Sequence, residues 1–177
     1  STDMGYIFEE LVRRFSESYN EEAGAHFTSR DIIYLMTDIL LAEDRDLLAG
    51  TDVVKTVYDQ TMGTSQMLSA MIERIHSLNA DAEVRTFGQE LNPETYAIAK
   101  ADTMIRGGDP DNMALGSTLS NDGFPGYTFD YCISNPPFGI DWKKDKNAVQ
   151  AENELGDQGR FGVGLPKISD GQLLFQL

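Results

Sequence analysis

Four consecutive residues, Asn135, Pro136, Pro137 and Phe138, have the types and spacing to act on a planar amine. A proline pair after a strand is ordinarily a turn and nothing more. The full tetrapeptide is more specific, coming as it does after Phe129-Asp130-Tyr131-Cys132-Ile133-Ser134. An amine on an aromatic ring, such as N6 of adenine, has its lone pair delocalised into the ring and is a poor nucleophile. Two acceptors aimed at its N–H groups favour a pyramidal nitrogen and free the lone pair for attack. The Asn135 side-chain oxygen and the Pro136 carbonyl are two such acceptors, and proline holds its own backbone rigidly. Phe138 offers a flat face for an extruded base, since a base inside a duplex is out of reach. Methyl transfer then needs in-line placement against a donor, without metal or covalent intermediate.

Elements must exist to hold such a loop. Asp3 is placed to cap a helix from Met4 to Ser18, with Met4, Phe8, Leu11 and Phe15 on one face. Ser29 is placed to cap a second, in which Ile32, Ile33, Met36, Ile39 and Leu40 recur at helical spacing. Residues 43–52 read as a charged linker. Beyond it the pattern predicts strands over Val53–Tyr58, Val84–Gly88, Met113–Leu115 and Thr128–Ser134. Between them it predicts helices over Gln66–Leu78 and from Asn92, the cap, with Pro93 at the first helical position, to Ile105. The stretch Gly139–Lys167 reads as polar and glycine-dotted, with a further helix starting at Ser169 or Asp170. Alternating strands and helices predict an α/β chain with a mostly parallel sheet covered on both faces. Ligands of such sheets bind beyond the carboxyl ends of the strands. That rule expects chemistry after Tyr58, Gly88, Leu115 and Ser134.

Each of those places carries a polar or glycine-bearing segment. After the first strand comes Asp59-Gln60-Thr61-Met62-Gly63-Thr64-Ser65, which resembles the S-adenosylmethionine loop Asp-Pro-x-x-Gly-x-Gly of methyltransferases. Gln60 stands in place of the proline and Ser65 in place of the second glycine, so a Cβ sits where close approach is wanted. By the same likeness Asp59, Met62, Gly63 and Thr64 are cofactor residues. The second strand ends at Gly88-Gln89-Glu90, and an acidic side chain there can accept from both ribose hydroxyls. The third leads into Gly116-Ser117-Thr118-Leu119, where the likeness puts Ser117 near the cofactor adenine. Upstream, Ala25-His26-Phe27-Thr28-Ser29-Arg30 resembles the Phe-Thr-Pro-Arg segment that lines the cofactor pocket, nominating Phe27 and Thr28. Asn135 is expected to touch the cofactor as well as the amine.

The tetrapeptide is shared by methyltransferases acting on planar amino groups. The chain resembles the adenine-N6 DNA enzymes first, with guanine-N2 RNA enzymes and glutamine-amide protein enzymes as relatives. A cytosine-C5 enzyme would need a Pro-Cys nucleophile. Cys132 follows Tyr131 and is expected to be a buried strand residue. Further segments are similar to the modification subunits of type I restriction systems: Asp3 to Leu11, Gly88 to Tyr96, Asp141-Trp142-Lys143, Arg160 to Pro166 and Ser169-Asp170-Gly171. That family implies a Rossmann-like, S-adenosylmethionine-dependent sheet larger than the four strands counted here, preceded by helices. On this reading residues 1–52 are a helical lead-in and 53–177 a truncated catalytic core. The family also implies DNA as substrate, a separate specificity subunit and a restriction subunit. An unfinished sheet would leave an edge for a second copy, hence a possible homodimer. An inactive or binding-only module of the same family is the alternative.

Bulk properties bound these readings. The chain has 177 residues, enough for one domain with a real core. The apolar run from Ile32 to Ala42 is interrupted by Thr37 and Asp38, far short of the ~18 residues of a membrane span. The single cysteine fits a reducing cytoplasm. Against a DNA substrate stand 14 basic and 29 acidic residues, a net charge of −15. Such a surface repels nucleic acid unless a basic partner or further basic regions compensate. Lys143, Lys144 and Lys146 form the one local basic cluster, beside the tetrapeptide.

Overall fold

The computed structural model describes residues 28–177 together with Glu10, Leu11 and Arg14. Apart from those three residues, the helix expected over Met4–Ser18 lies outside the described residues, as does the nominated Phe27. The chain then runs through α1 (Arg30–Leu40), α2 (Arg45–Leu48), β1 (Val54–Asp59), α3 (Gln66–Leu78), β2 (Glu83–Glu90) and α4 (Pro93–Ile105). It continues through β3 (Met113–Leu115), β4 (Tyr131–Cys132) and α5 (Lys146–Asn153), ending in a 3-10 turn over Gly171–Gln176. None of the described helices is long and apolar enough to cross a membrane.

The four strands form one all-parallel sheet in the order β3-β2-β1-β4. The first two crossovers step outward from β1 to β3, and the chain then returns to the other side of β1. That reversal creates a switch point between β1 and β4, where open α/β sheets place ligands.

Val57 on β1 and Tyr131 and Ile133 on the β4 side share a core with Leu68, Met71 and Ile75 of α3 and Ala99 of α4. Ile33, Leu41 and Leu48 from the lead-in join the same core. Strand side chains alternate between faces, so Tyr58 and its register partner Phe87 point the other way. There they meet Phe124, Tyr127 and Phe129 in a cluster of rings, with Tyr127 61% exposed. The sheet is therefore covered on both faces as expected, by helices on one and by rings on the other. Cys132 is on this second face and is exposed, not buried as expected. Its register partner is Tyr58, and β4 is the edge strand.

Three further expectations change. β4 is two residues long because the Asp130 carboxylate, not the backbone, takes the Thr56 N–H at 2.8 Å, and also bonds the Thr56 hydroxyl. The polar stretch after Gly139 contains α5, which buries only Val149, against Trp142, Phe161, Leu173 and Leu174. One buried position leaves no helical period to read. The last segment is 3-10 rather than α-helical, although Asp170 does accept from the Gln172 N–H as a cap.

The α4 start is as the sequence expects: the Asn92 side chain accepts from the Glu94 and Thr95 N–H groups, with proline at the first turn. Asn92→Ala removes both bonds and is expected to cost about 1 kcal/mol of stability. Equilibrium denaturation measures it; a change below ~0.3 kcal/mol contradicts the cap.

Candidate functional site

The loop after β1 is anchored from three sides. The Met62 N–H donates to the Gln89 carbonyl at the end of β2 (3.0 Å), and Thr118 donates its hydroxyl to the Gln60 carbonyl (2.6 Å). The Gly63 N–H donates to Glu90 (3.0 Å), whose other oxygen accepts from the Asn92 N–H (2.7 Å). Gly63 has φ 55°, a left-handed conformation suited to glycine. Gly88 allows close approach of another kind. A Cβ there would sit 2.2 Å from the Met62 sulfur, so β2 must be bare for the loop to close over it.

Ser65, the departure from the glycine pattern, is also left-handed, with φ 67°. Its hydroxyl turns toward α4 and donates to Asp102 (3.3 Å), which also accepts from Ser69 and Arg106. Ser65 does not line the pocket. Its side chain therefore does not intrude on that pocket.

That pocket lies at the switch point. Thr28, Ile33, Asp59, Thr61, Met62, Gly63, Thr64, Gln66, Met67 and Asn135 line it. Its empty volume, open solvent at the mouth included, is about 460 Å³. Of the residues singled out from sequence, Thr28, Asp59, Met62, Gly63, Thr64 and Asn135 are brought together here. Glu90 stands behind Gly63 through the bond described above. Ser117 does not line this pocket; its carbonyl accepts from the Ser120 and Asn121 N–H groups. Pro136 is buried, Pro137 exposed and Phe138 63% exposed, against Phe175 at a centroid distance of 5.7 Å.

Asn135 reaches the pocket because Ile133, the last residue bonded to β1, donates to the Tyr58 carbonyl, after which the chain leaves the sheet. The Asn135 amide nitrogen donates to the Thr28 hydroxyl (2.7 Å), and the Ser134 and Thr61 hydroxyls are paired at 2.6 Å. Thr61, Ser134, Gln66, Ile33 and Met67 were not singled out from sequence. The hydroxyl pair Thr61–Ser134 spans 73 positions, and no local pattern marks it.

Beneath this pair Asp59 is 1% exposed. Burial pushes its carboxyl up to about 7; the Thr61 N–H and Ser134 hydroxyl oppose that shift and the negative charge of Glu90 adds to it. A carboxyl that titrates near pH 7 beside a pocket is a candidate functional group.

A scan against protein families matches the N-6 DNA Methylase family over residues 1–175. The chain belongs to that family. It is 27% identical over 166 residues to the type I restriction enzyme MjaIX methylase subunit of Methanocaldococcus jannaschii, covering 93% of this chain and 27% of the relative. It is likewise 27% identical to the HindI methylase subunit of Haemophilus influenzae, covering 92% of this chain and 33% of the relative. Among solved structures, the type I restriction-modification methyltransferase subunit of Streptococcus thermophilus superposes with a TM-score of 0.61 at 23% identity. It covers 84% of this chain and 30% of that one, a likeness of fold. The chain thus spans about a third or less of these relatives' length.

The Asp59 shift has a definite sign. Its folded-state value lies above the unfolded value of 3.8, so the stabilisation is complete below pH 3.8 and is lost as pH rises through about 7. Relative to Asp59→Asn, the wild-type chain is expected to lose stability between pH 5 and pH 8. Denaturant unfolding at both pH values checks this; a stability difference independent of pH contradicts it.

Proposed function

We propose that this chain is the cofactor- and base-binding part of a type I modification subunit, transferring a methyl group from S-adenosylmethionine to N6 of adenine in DNA. One observation carries the reading: Asn135, at the head of Asn-Pro-Pro-Phe, lines the same pocket as the Asp59–Thr64 loop. The residues present fit the cofactor. A glycine with positive φ opens the loop, Ser65 is turned out of the way, and Glu90 is an acceptor-only group with lone pairs to spare beyond its two backbone bonds.

The cofactor supplies an electrophilic methyl group. Thr28, Asp59, Met62, Gly63 and Thr64 form the walls that hold it, with Glu90 assigned to the ribose hydroxyls, Ser117 to the adenine side and Phe27, by the family likeness alone, to the cofactor. The Asn135 oxygen and the Pro136 carbonyl accept from the two N–H groups of the target amine and favour a pyramidal nitrogen. Pro137 stiffens the loop, and Phe138 presents its exposed ring to the extruded base. The chain's part is placement and hydrogen bonding, which suit a direct displacement.

A net charge of −15 argues that much of the phosphate contact comes from elsewhere. A specificity subunit that reads the sequence and a restriction subunit that cleaves unmodified DNA are the partners the family likeness supports, in the cytoplasm. Lys143 and Lys144, exposed just before α5, are the local groups suited to phosphate. We assign residues 1–52 to a helical lead-in and 53–177 to the catalytic core. The inert-module alternative rested partly on Ser65, whose orientation toward Asp102 favours an open cofactor site instead.

Asn135→Ala is expected to leave S-adenosylmethionine affinity, measured by calorimetry, within about threefold, while methyl transfer to DNA falls about 10²–10³-fold. Near-normal turnover in the full complex overturns the mechanism. Absence of cofactor binding at millimolar concentration favours the inert module for this chain. The outer edge of β4 supports self-pairing of the isolated chain into a homodimer. Light scattering over a concentration series should show a dimer mass, and a monomer throughout removes that expectation.

A further inference from the structure

We propose that Thr28 is the positioning residue that holds the Asn135 amide in place to meet the target amine. The proposal rests on the methyl-transfer reading above. An asparagine amide carries an acceptor oxygen and a donor nitrogen on the same carbon. Only the oxygen can accept from an amine N–H; the nitrogen in its place would set donor against donor. In the structure the Asn135 nitrogen is committed to the Thr28 hydroxyl at 2.7 Å, so the oxygen is directed away from that bond. Thr28 and Asn135 line the same pocket, although they are 107 positions apart.

The rest of the loop is held independently. Ser134, the residue before Asn135, is tied to Thr61 at 2.6 Å, and the Thr61 N–H donates to buried Asp59 at 3.0 Å. Backbone placement therefore does not depend on Thr28. What Thr28 contributes is a hydrogen-bond tether on one side chain, which a methyl of the same size cannot supply. A Thr28 whose only role is lining the cofactor pocket would affect cofactor affinity instead.

The two roles separate in measurement. In the full chain with its partners, Thr28→Val keeps the bulk of that pocket wall and is expected to change S-adenosylmethionine affinity, measured by calorimetry, less than it changes the transfer rate. The single-turnover rate of methyl transfer, at saturating cofactor and DNA, should fall at least about tenfold. Thr28→Ser, which keeps the hydroxyl, should recover most of the rate, and this rescue excludes a general folding defect. Three results overturn the positioning role: a wild-type rate for Thr28→Val, a loss confined to cofactor affinity, or no recovery in Thr28→Ser. Wild-type protein assayed in parallel tests the functional reading itself. No transfer to adenine by the wild type overturns that reading, whereas active wild type beside an equally active Thr28→Val overturns only the role of Thr28.

Discussion

Two residues of parallel pairing, Val57 with Tyr131 and Tyr58 with Cys132, fix how the loop after β1 stands against the loop after β4. A ladder this short is weak alone. It is braced at its lower end, where Asp130 takes the Thr56 N–H and hydroxyl and pairs with Lys55, and at its upper end, where Ile133 donates to Tyr58. A slip of one residue would exchange the faces of Tyr131 and Cys132. It would also carry Ser134 off Thr61 and Asn135 off Thr28. The candidate site exists because that register is held.

Polar side chains rather than apolar packing tie the loops together. Thr118 joins the β3 loop to Gln60, Glu90 joins the end of β2 to Gly63, and Asp102 joins α4 to Ser65 and Ser69. Buried Gln89 holds the β3 loop through the Gly116 and Asn121 carbonyls and the Gly123 N–H. Such networks are directional and fix a geometry that methyl contacts would leave free to slide. Asp59 sits among these bonds with its carboxyl raised by burial.

The acidity of the chain and its surface fit together. Its basic side chains are largely engaged with carboxylates, as Arg160 is with Glu152 and Asp122, and Arg106 with Asp102 and Glu73. The exposed lysines beside the tetrapeptide are a small counterweight to −15.

The sequence by itself determined the parallel α/β alternation, the Asn92 cap and the segments at the strand tips. Each of these depends on neighbours within a few positions, where periodicity, proline and glycine speak directly. It also nominated Asn135 and the Asp59 loop, because the tetrapeptide and the glycine loop are local patterns. Tertiary structure alone decided where Ser65 turns, why β4 is only two residues long, that Cys132 is exposed, and that α5 forms around one buried valine. It alone joined Thr28 to Asn135 and Thr61 to Ser134. The side-chain bonds among them join partners between roughly 30 and 110 positions apart. Hydrogen bonds between side chains leave no period in the chain, so only the folded arrangement could reveal them.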